Sequence, residues 1–297
     1  MFFRRRTSLS PEACRALVRV LESPTFELIP LKNVLDGAAH LPPGATVSVT
    51  ASPAKGIEAT VALCEQLQAR GFRAVPHLSA RMVRDSAHLA ELVAWLRSAG
   101  VDRAFVVGGD AKEPGQFPDG LALLRGMAEL GHPLSEIGIP CYPQGHAFIA
   151  DEPLLDALRD KLPFATYMTT QLCFDPGAIG EWLAARRSEG ITLPVHIGLP
   201  GVAEPQRLLA IGARIGVVDT HRFLVKNTRF IARLIRSGGF YRPDSLLEGL
   251  APHIADDSMN VSGLHVYTFN AVDATESWRR NTLARLEARA AAPIGSA

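Results

Sequence analysis

Apolar and polar positions along this chain switch repeatedly between the two-residue alternation of strands and the three-to-four spacing of helices. Short β-branched and apolar runs predict strands at 24–30, 46–50, 72–78, 103–107, 137–142, 164–171, 193–199 and 264–269. Helical spacing predicts helices at 10–22, 31–40, 55–70, 85–99, 119–130, 152–162 and 176–189, a longer helical stretch reaching about residue 250, and a closing helix at 274–290. Ser10-Pro11-Glu12 supplies an N-cap with proline in the first turn, and Gly71, Gly100, Gly131 and Gly190 stand where helices should stop. Strands separated by helices of this length form right-handed parallel crossovers. Eight such units predict α/β architecture, a single-domain (β/α)8 TIM barrel, with an open doubly wound sheet as the runner-up. Val107-Gly108-Gly109-Asp110 lacks the G-x-G-x-x-G fingerprint of such a sheet, which favours the barrel. The boundaries follow: an N-terminal extension and helix at 1–23, the barrel at 24–290 and a tail at 291–297.

Composition changes this picture little. A chain of 297 residues that is 47% hydrophobic can bury a large core, and a formal charge of +1 gives no electrostatic footprint for nucleic acid. Arg4-Arg5-Arg6 is too short to alter that. No apolar run has the length of a signal peptide core or of a membrane span. Cys14, Cys64, Cys141 and Cys173 are scattered, with no Cys-x-x-Cys and no histidine at ligand spacing, so neither a disulfide framework nor a metal site is expected. The expectation is a soluble, reduced, cytoplasmic protein with no membrane or nucleic-acid partner, whose apolar helix faces are compatible with a homo-oligomer.

The first predicted strand carries a carboxylate, Glu27, between Phe26 and Leu28. A charge in an apolar strand is paired, protonated or used in chemistry, unless the strand's polar face simply meets water. In a barrel, chemistry collects at the C-terminal ends of the strands. Those ends supply Glu27, His77, Ser79, Asp110, Tyr142, Gln144, His146, Gln171, Tyr267, Thr268 and Asn270. The set offers two carboxylates, amides, hydroxyls and imidazoles. It lacks a third carboxylate and a His pair at metal spacing, and no nucleophile–His–Asp relay is evident along the chain.

Six short motifs sit on these strands: Phe26-Glu27-Leu28-Ile29-Pro30, Pro76-His77-Leu78-Ser79, Gly109-Asp110, Tyr142-Pro143-x-x-His146, Thr170-Gln171-x-x-Phe174-Asp175 and His265-x-Tyr267-Thr268-x-Asn270. In their order and spacing the chain resembles the methylenetetrahydrofolate reductases, from about residue 24 to 285. That resemblance implies reduction of 5,10-methylenetetrahydrofolate to 5-methyltetrahydrofolate by NADH or NADPH. It makes Glu27 the general acid that opens the folate ring to a 5-iminium cation, with Asp110 as the carboxylate favouring that cation. Asp110, Gln171, Phe174, Gln206 and Tyr267 become substrate contacts, with Arg207 competing for the position of Gln206. His77, Ser79, Gly109, Tyr142 and His146 become cofactor contacts.

The departures from the family cluster on its flavin site. Gly108 replaces an arginine, and Pro153, Asp156, Arg159 and Asp160 stand where the family grips flavin adenine dinucleotide. Negative charge where a pyrophosphate should lie costs affinity. The expectation is therefore hydride delivered directly from the nicotinamide without bound FAD, with Lys55, Arg81, Arg84 and Lys112 as candidate phosphate partners. Ala271 replaces a further family arginine that contacts folate. A member that still uses FAD and a silent folate-binding accessory subunit are the alternatives.

Overall fold

The computed structural model describes residues 9–146, 148–204, 206, 208 and 239–291. Eight parallel strands close on themselves in chain order, as the sequence pattern predicts for a (β/α)8 barrel. They are β1 (Thr25–Leu28), β2 (Thr46–Val49), β3 (Arg73–Ser79), β4 (Arg103–Val107), β5 (Glu136–Cys141), β6 (Tyr167–Thr170), β7 (Val195–Pro200) and β8 (Val261–Tyr267). The described helices, numbered in chain order, are α1 (Pro11–Glu22), α2 (Val34–Ala38), α3 (Ile57–Gln68), α4 (Ser86–Ser98), α5 (Gly120–Glu129), α6 (Asp151–Lys161), α7 (Pro176–Ser188), α8 (Asp244–Ala255) and α9 (Val272–Ala290). Most of the expected long helical stretch before residue 250, Arg207 included, lies outside the described residues.

Local chemistry explains most of the helix boundaries. The Ser10 hydroxyl accepts from the Ala13 amide at 3.1 Å to start α1. Asp85, Asp119 and Asp175 do the same for α4, α5 and α7. Strand boundaries differ from the expectation by up to three residues, and two of the differences have a clear local cause. The sixth strand begins at Tyr167 rather than 164, because Phe164 and Ala165 are still bonded to Lys161 at the end of α6. The eighth runs Val261–Tyr267 and stops short of 269, since Phe269 and Asn270 take left-handed backbone angles (φ 50° and 59°) that end the extended conformation.

Burial alternates along each strand and separates two environments. Phe26 and Leu28 of β1 and Val47 and Val49 of β2 are buried in the layer between strands and helices. Glu27 and Ser48, which pair in register, turn the other way, into the barrel. The helix α1 packs on α8, α9 and β8. It is fixed there by Arg279 of α9, whose guanidinium donates to the Leu21 carbonyl at 2.8 Å and so satisfies a helix end. Among the described residues no helix is long and apolar enough to cross a membrane.

Candidate active site

The barrel interior near the C-terminal ends of β1, β2, β3 and β8 is polar. Glu27 Oε2 lies 3.1 Å from His265 Nε2 and 3.7 Å from His77 Nε2. His77 Nε2 in turn lies 2.7 Å from the Ser48 hydroxyl. Four strands thus contribute one residue each to a single cluster, in which the Glu27 side chain is the most exposed at 15%, followed by His77 at 10%.

The cluster is framed by aromatic rings. Phe105 of β4 packs against His77 and His265, with centroids 4.9 and 6.0 Å away, and Tyr167 of β6 packs against Phe105 and His196. This packing needs a glycine on β5, because a methyl group at Gly138 would collide with the rings of Tyr167 and Phe105. Burial pushes the His77 imidazole down to about 4; the Glu27 carboxylate opposes that shift and His265 adds to it. His196 is lowered to about 4 as well, by burial first and then by His265 and Arg103. His77 is therefore neutral at pH 7.

The backbone that carries Glu27 is clamped from β8. The Thr268 hydroxyl donates to the Glu27 carbonyl at 2.6 Å. The Asn270 carboxamide meets Ile29 twice, accepting from its amide and donating to its carbonyl, both at 2.9 Å. Thr268 and Asn270, expected as site residues by their place at a strand end, are spent on this clamp.

The other expected residues fall into separate groups. Ser79 is buried and its hydroxyl has no partner among the described residues. It faces Gly109, where φ is 89° and a side chain would strike the Ser79 oxygen. Asp110 is exposed just beyond β4. Tyr142 and His146 meet edge to face at 5.3 Å after β5. The Tyr142 phenol is pushed up to about 12 by burial, with Cys141 and Asp110 adding to it. Gln171 accepts from the Leu172 amide at 2.8 Å. Phe174 packs on Tyr241, and Gln206 is exposed. Tyr267 reaches across the barrel to donate to the Thr170 carbonyl at 2.9 Å, and burial holds its phenol well above the usual range, with Glu27 the next cause.

Two of the four candidate phosphate partners are engaged elsewhere. The Arg81 guanidinium straps the loop after β4 through the carbonyls of Ala111 and Lys112, at 2.6 and 2.9 Å. Arg84 pairs with Glu58 at 3.3 Å, while Lys55 and Lys112 are exposed. Asp156 pairs with Arg159 at 3.4 Å.

Ser48, His265 and His196 were not among the expected site residues. Their signal was period two: Ser48 stands two residues before the end of its predicted strand, and His265 two before Tyr267, each on the face that Glu27 occupies. Spacing along the chain gave no metal site, yet the fold brings the ligand atoms of Glu27, His77 and His265 within 4.8 Å of one another. In this arrangement His77 Nε2 faces the Ser48 hydroxyl and His265 Nε2 faces the carboxylate, which makes the group a hydrogen-bonded centre. Nor is it a serine relay. Ser48 is 0% exposed, and the carboxylate approaches the same imidazole nitrogen as the hydroxyl instead of the opposite one.

No family model matches the chain. Among solved structures it is similar to a candidate phosphonomutase from Burkholderia cenocepacia J2315, at 14% identity over 95% of this chain and 100% of that one, with a TM-score of 0.45. It is also similar to the sialic acid aldolase of Ruminococcus gnavus, at 11% identity over 95% of this chain and 72% of that one, with a TM-score of 0.41. A candidate lyase/mutase from Burkholderia cenocepacia J2315 matches at 12% identity over 94% and 87% of the two chains, with a TM-score of 0.44. These are mutase and aldolase or lyase proteins, not methylenetetrahydrofolate reductases. The identification from six motifs is corrected accordingly, and with it the NAD(P)H-dependent reduction of folate, its FAD-dependent variant and the folate-binding subunit. Short motifs at barrel strand ends are a weak basis for a family, because that position collects polar residues in unrelated barrels. Folate and NADH or NADPH entered as partners through that identification and are not supported by the comparisons. At 11–14% identity no activity passes to this chain from these structures either.

Proposed function

We propose that this chain is an enzyme that moves a proton to or from a small polar substrate at the C-terminal mouth of the barrel, in an elimination, addition or isomerisation. Glu27 is the transferring group. The observation that carries this reading is the Glu27 carboxylate itself, partly open to solvent, with one oxygen in reach of two imidazole nitrogens at 3.1 and 3.7 Å. A carboxyl so placed can take up or release a proton while the imidazoles keep its orientation.

Among the described residues no lysine lies on any of the eight strands, so no strand lysine is there to form a Schiff base. Cys141 and Cys173 are buried, and burial pushes both thiols up, Cys173 to about 12, which leaves them protonated and inert. A carboxylate base readily removes a proton from carbon made acidic by an adjacent carbonyl, and this chooses the substrates to try first. In the test, the protein is incubated in D2O with small oxo and hydroxy carboxylic acids, and deuterium uptake and product are followed by proton NMR. The expected result is turnover by the wild type that falls about 10²–10⁴-fold in Glu27→Gln. Turnover undiminished in Glu27→Gln overturns the assignment.

A further inference from the structure

The Ser48 hydroxyl poses a counting problem. It is fully buried, and among the described residues its one hydrogen-bond partner is His77 Nε2, at 2.7 Å. The neutral imidazole has one protonated and one bare nitrogen. Were Nε2 protonated, it would donate to the serine oxygen, and the hydroxyl proton would be buried without an acceptor. An unmet donor costs about 1–3 kcal/mol, more than an unused lone pair on an oxygen that already accepts nothing. The hydroxyl therefore donates, Nε2 is bare, and the imidazole proton sits on Nδ1.

This matters because the bare nitrogen is also the His77 atom that faces Glu27, 3.7 Å from Oε2. We propose that Ser48 is a positioning residue: its hydroxyl holds His77 in the Nδ1–H form, so that the ring turns a bare acceptor nitrogen, and no N–H, toward the Glu27 carboxyl group. The device rests on the proton-transfer reading only for its purpose, since the tautomer exists whether or not Glu27 is the transferring group. The ionisable groups around Glu27 are His77 from β3 and His265 and Tyr267 from β8; β2 contributes only the serine.

The experiment uses the full chain labelled with ¹⁵N-histidine, the His77 signals being assigned by their loss in His77→Gln. Two-bond ¹⁵N–¹H correlations report the tautomer directly and need no substrate. The expected wild-type pattern is Nδ1–H, retained in Ser48→Thr, which keeps a hydroxyl. In Ser48→Ala, where the hydroxyl donor is gone and the carboxylate is the remaining partner of this nitrogen, the pattern moves to Nε2–H. A wild-type Nε2–H pattern overturns the proposal, even if Ser48→Ala does not fold. So does an unchanged Nδ1–H pattern in a folded Ser48→Ala protein. Loss of the catalytic assignment by the deuterium test leaves these spectra as predicted, so the two failures are distinct.

Discussion

Two carboxylates of this protein, one buried and one half-buried, are held in opposite ways. Glu276, on α9, is 3% exposed and gives both its oxygens to one guanidinium, at 2.7 Å to Arg279 Nε and 2.8 Å to Nη2. Arg279 spends a further nitrogen on the Leu21 carbonyl. Arginine does not give up its proton, so this pair has a single charge state and no capacity to spare. Glu27 presents one oxygen to two imidazoles, one of them neutral at pH 7, and keeps contact with water. Permanent partners make a carboxylate part of the scaffold, whereas titratable partners leave it able to exchange a proton. Burial alone does not separate the two roles; the identity of the partner does.

The comparison breaks most visibly where each partner is removed. Arg279→Met leaves buried Glu276 with only the exposed Arg280, 3.8 Å away, and frees the end of α1. Its expected cost is about 3–5 kcal/mol of folding stability, read from urea denaturation followed by circular dichroism. Glu27→Gln keeps an oxygen for His265 and should cost no more than about 1 kcal/mol by the same assay, with its effect confined to turnover. If Glu27→Gln destabilises as much as Arg279→Met, Glu27 is scaffold as well. The imidazoles sharpen the contrast through pH. His77 titrates near 6.5 when unfolded and near 4 when folded. Between those values the unfolded chain binds the extra proton, so this contribution is full above about pH 6.5 and is lost as pH falls through about 4. It amounts to about 3 kcal/mol, to be read as a steeper fall of stability with acid in the wild type than in His77→Gln. Equal slopes in the two proteins would show that His77 is not held neutral.

The architecture was legible in the chain because eight strand–helix alternations with glycine stops admit few closures, and the barrel is the observed one. Glu27 and His77 were legible as strand-end polar residues, and the fold brings them together. His265 was named only within a motif and given no role, and Ser48 was not singled out, since a serine in a β-branched strand looks like any polar alternate until the register sets it opposite Glu27. Arg81 misled for the converse reason: a basic residue beyond a strand end reads as a free cation, but here two loop carbonyls absorb it. The family assignment failed at a different level. Motifs of two to six residues record which side chains stand at strand ends, and different barrel chemistries draw on the same small menu.

A further variant tests the backbone under Glu27. Thr268 is fully buried; its hydroxyl donates to the Glu27 carbonyl at 2.6 Å and accepts from the Asn270 amide at 3.1 Å. Thr268→Val preserves volume and leaves both backbone groups unmet, an expected cost of about 1–3 kcal/mol by urea denaturation. Arg279 secures the chain just before β1 through Leu21, and Thr268 with Asn270 secures it through Glu27 and Ile29. The strand is therefore pinned at both ends by segments from the C-terminal part of the chain, and the carboxyl group is what remains free to respond. If that is so, Thr268→Val lowers stability and turnover together, because a shifted Glu27 backbone misplaces its oxygen against both imidazoles. A variant that loses stability but keeps full turnover would show that the imidazoles position the carboxyl without help from the backbone clamp.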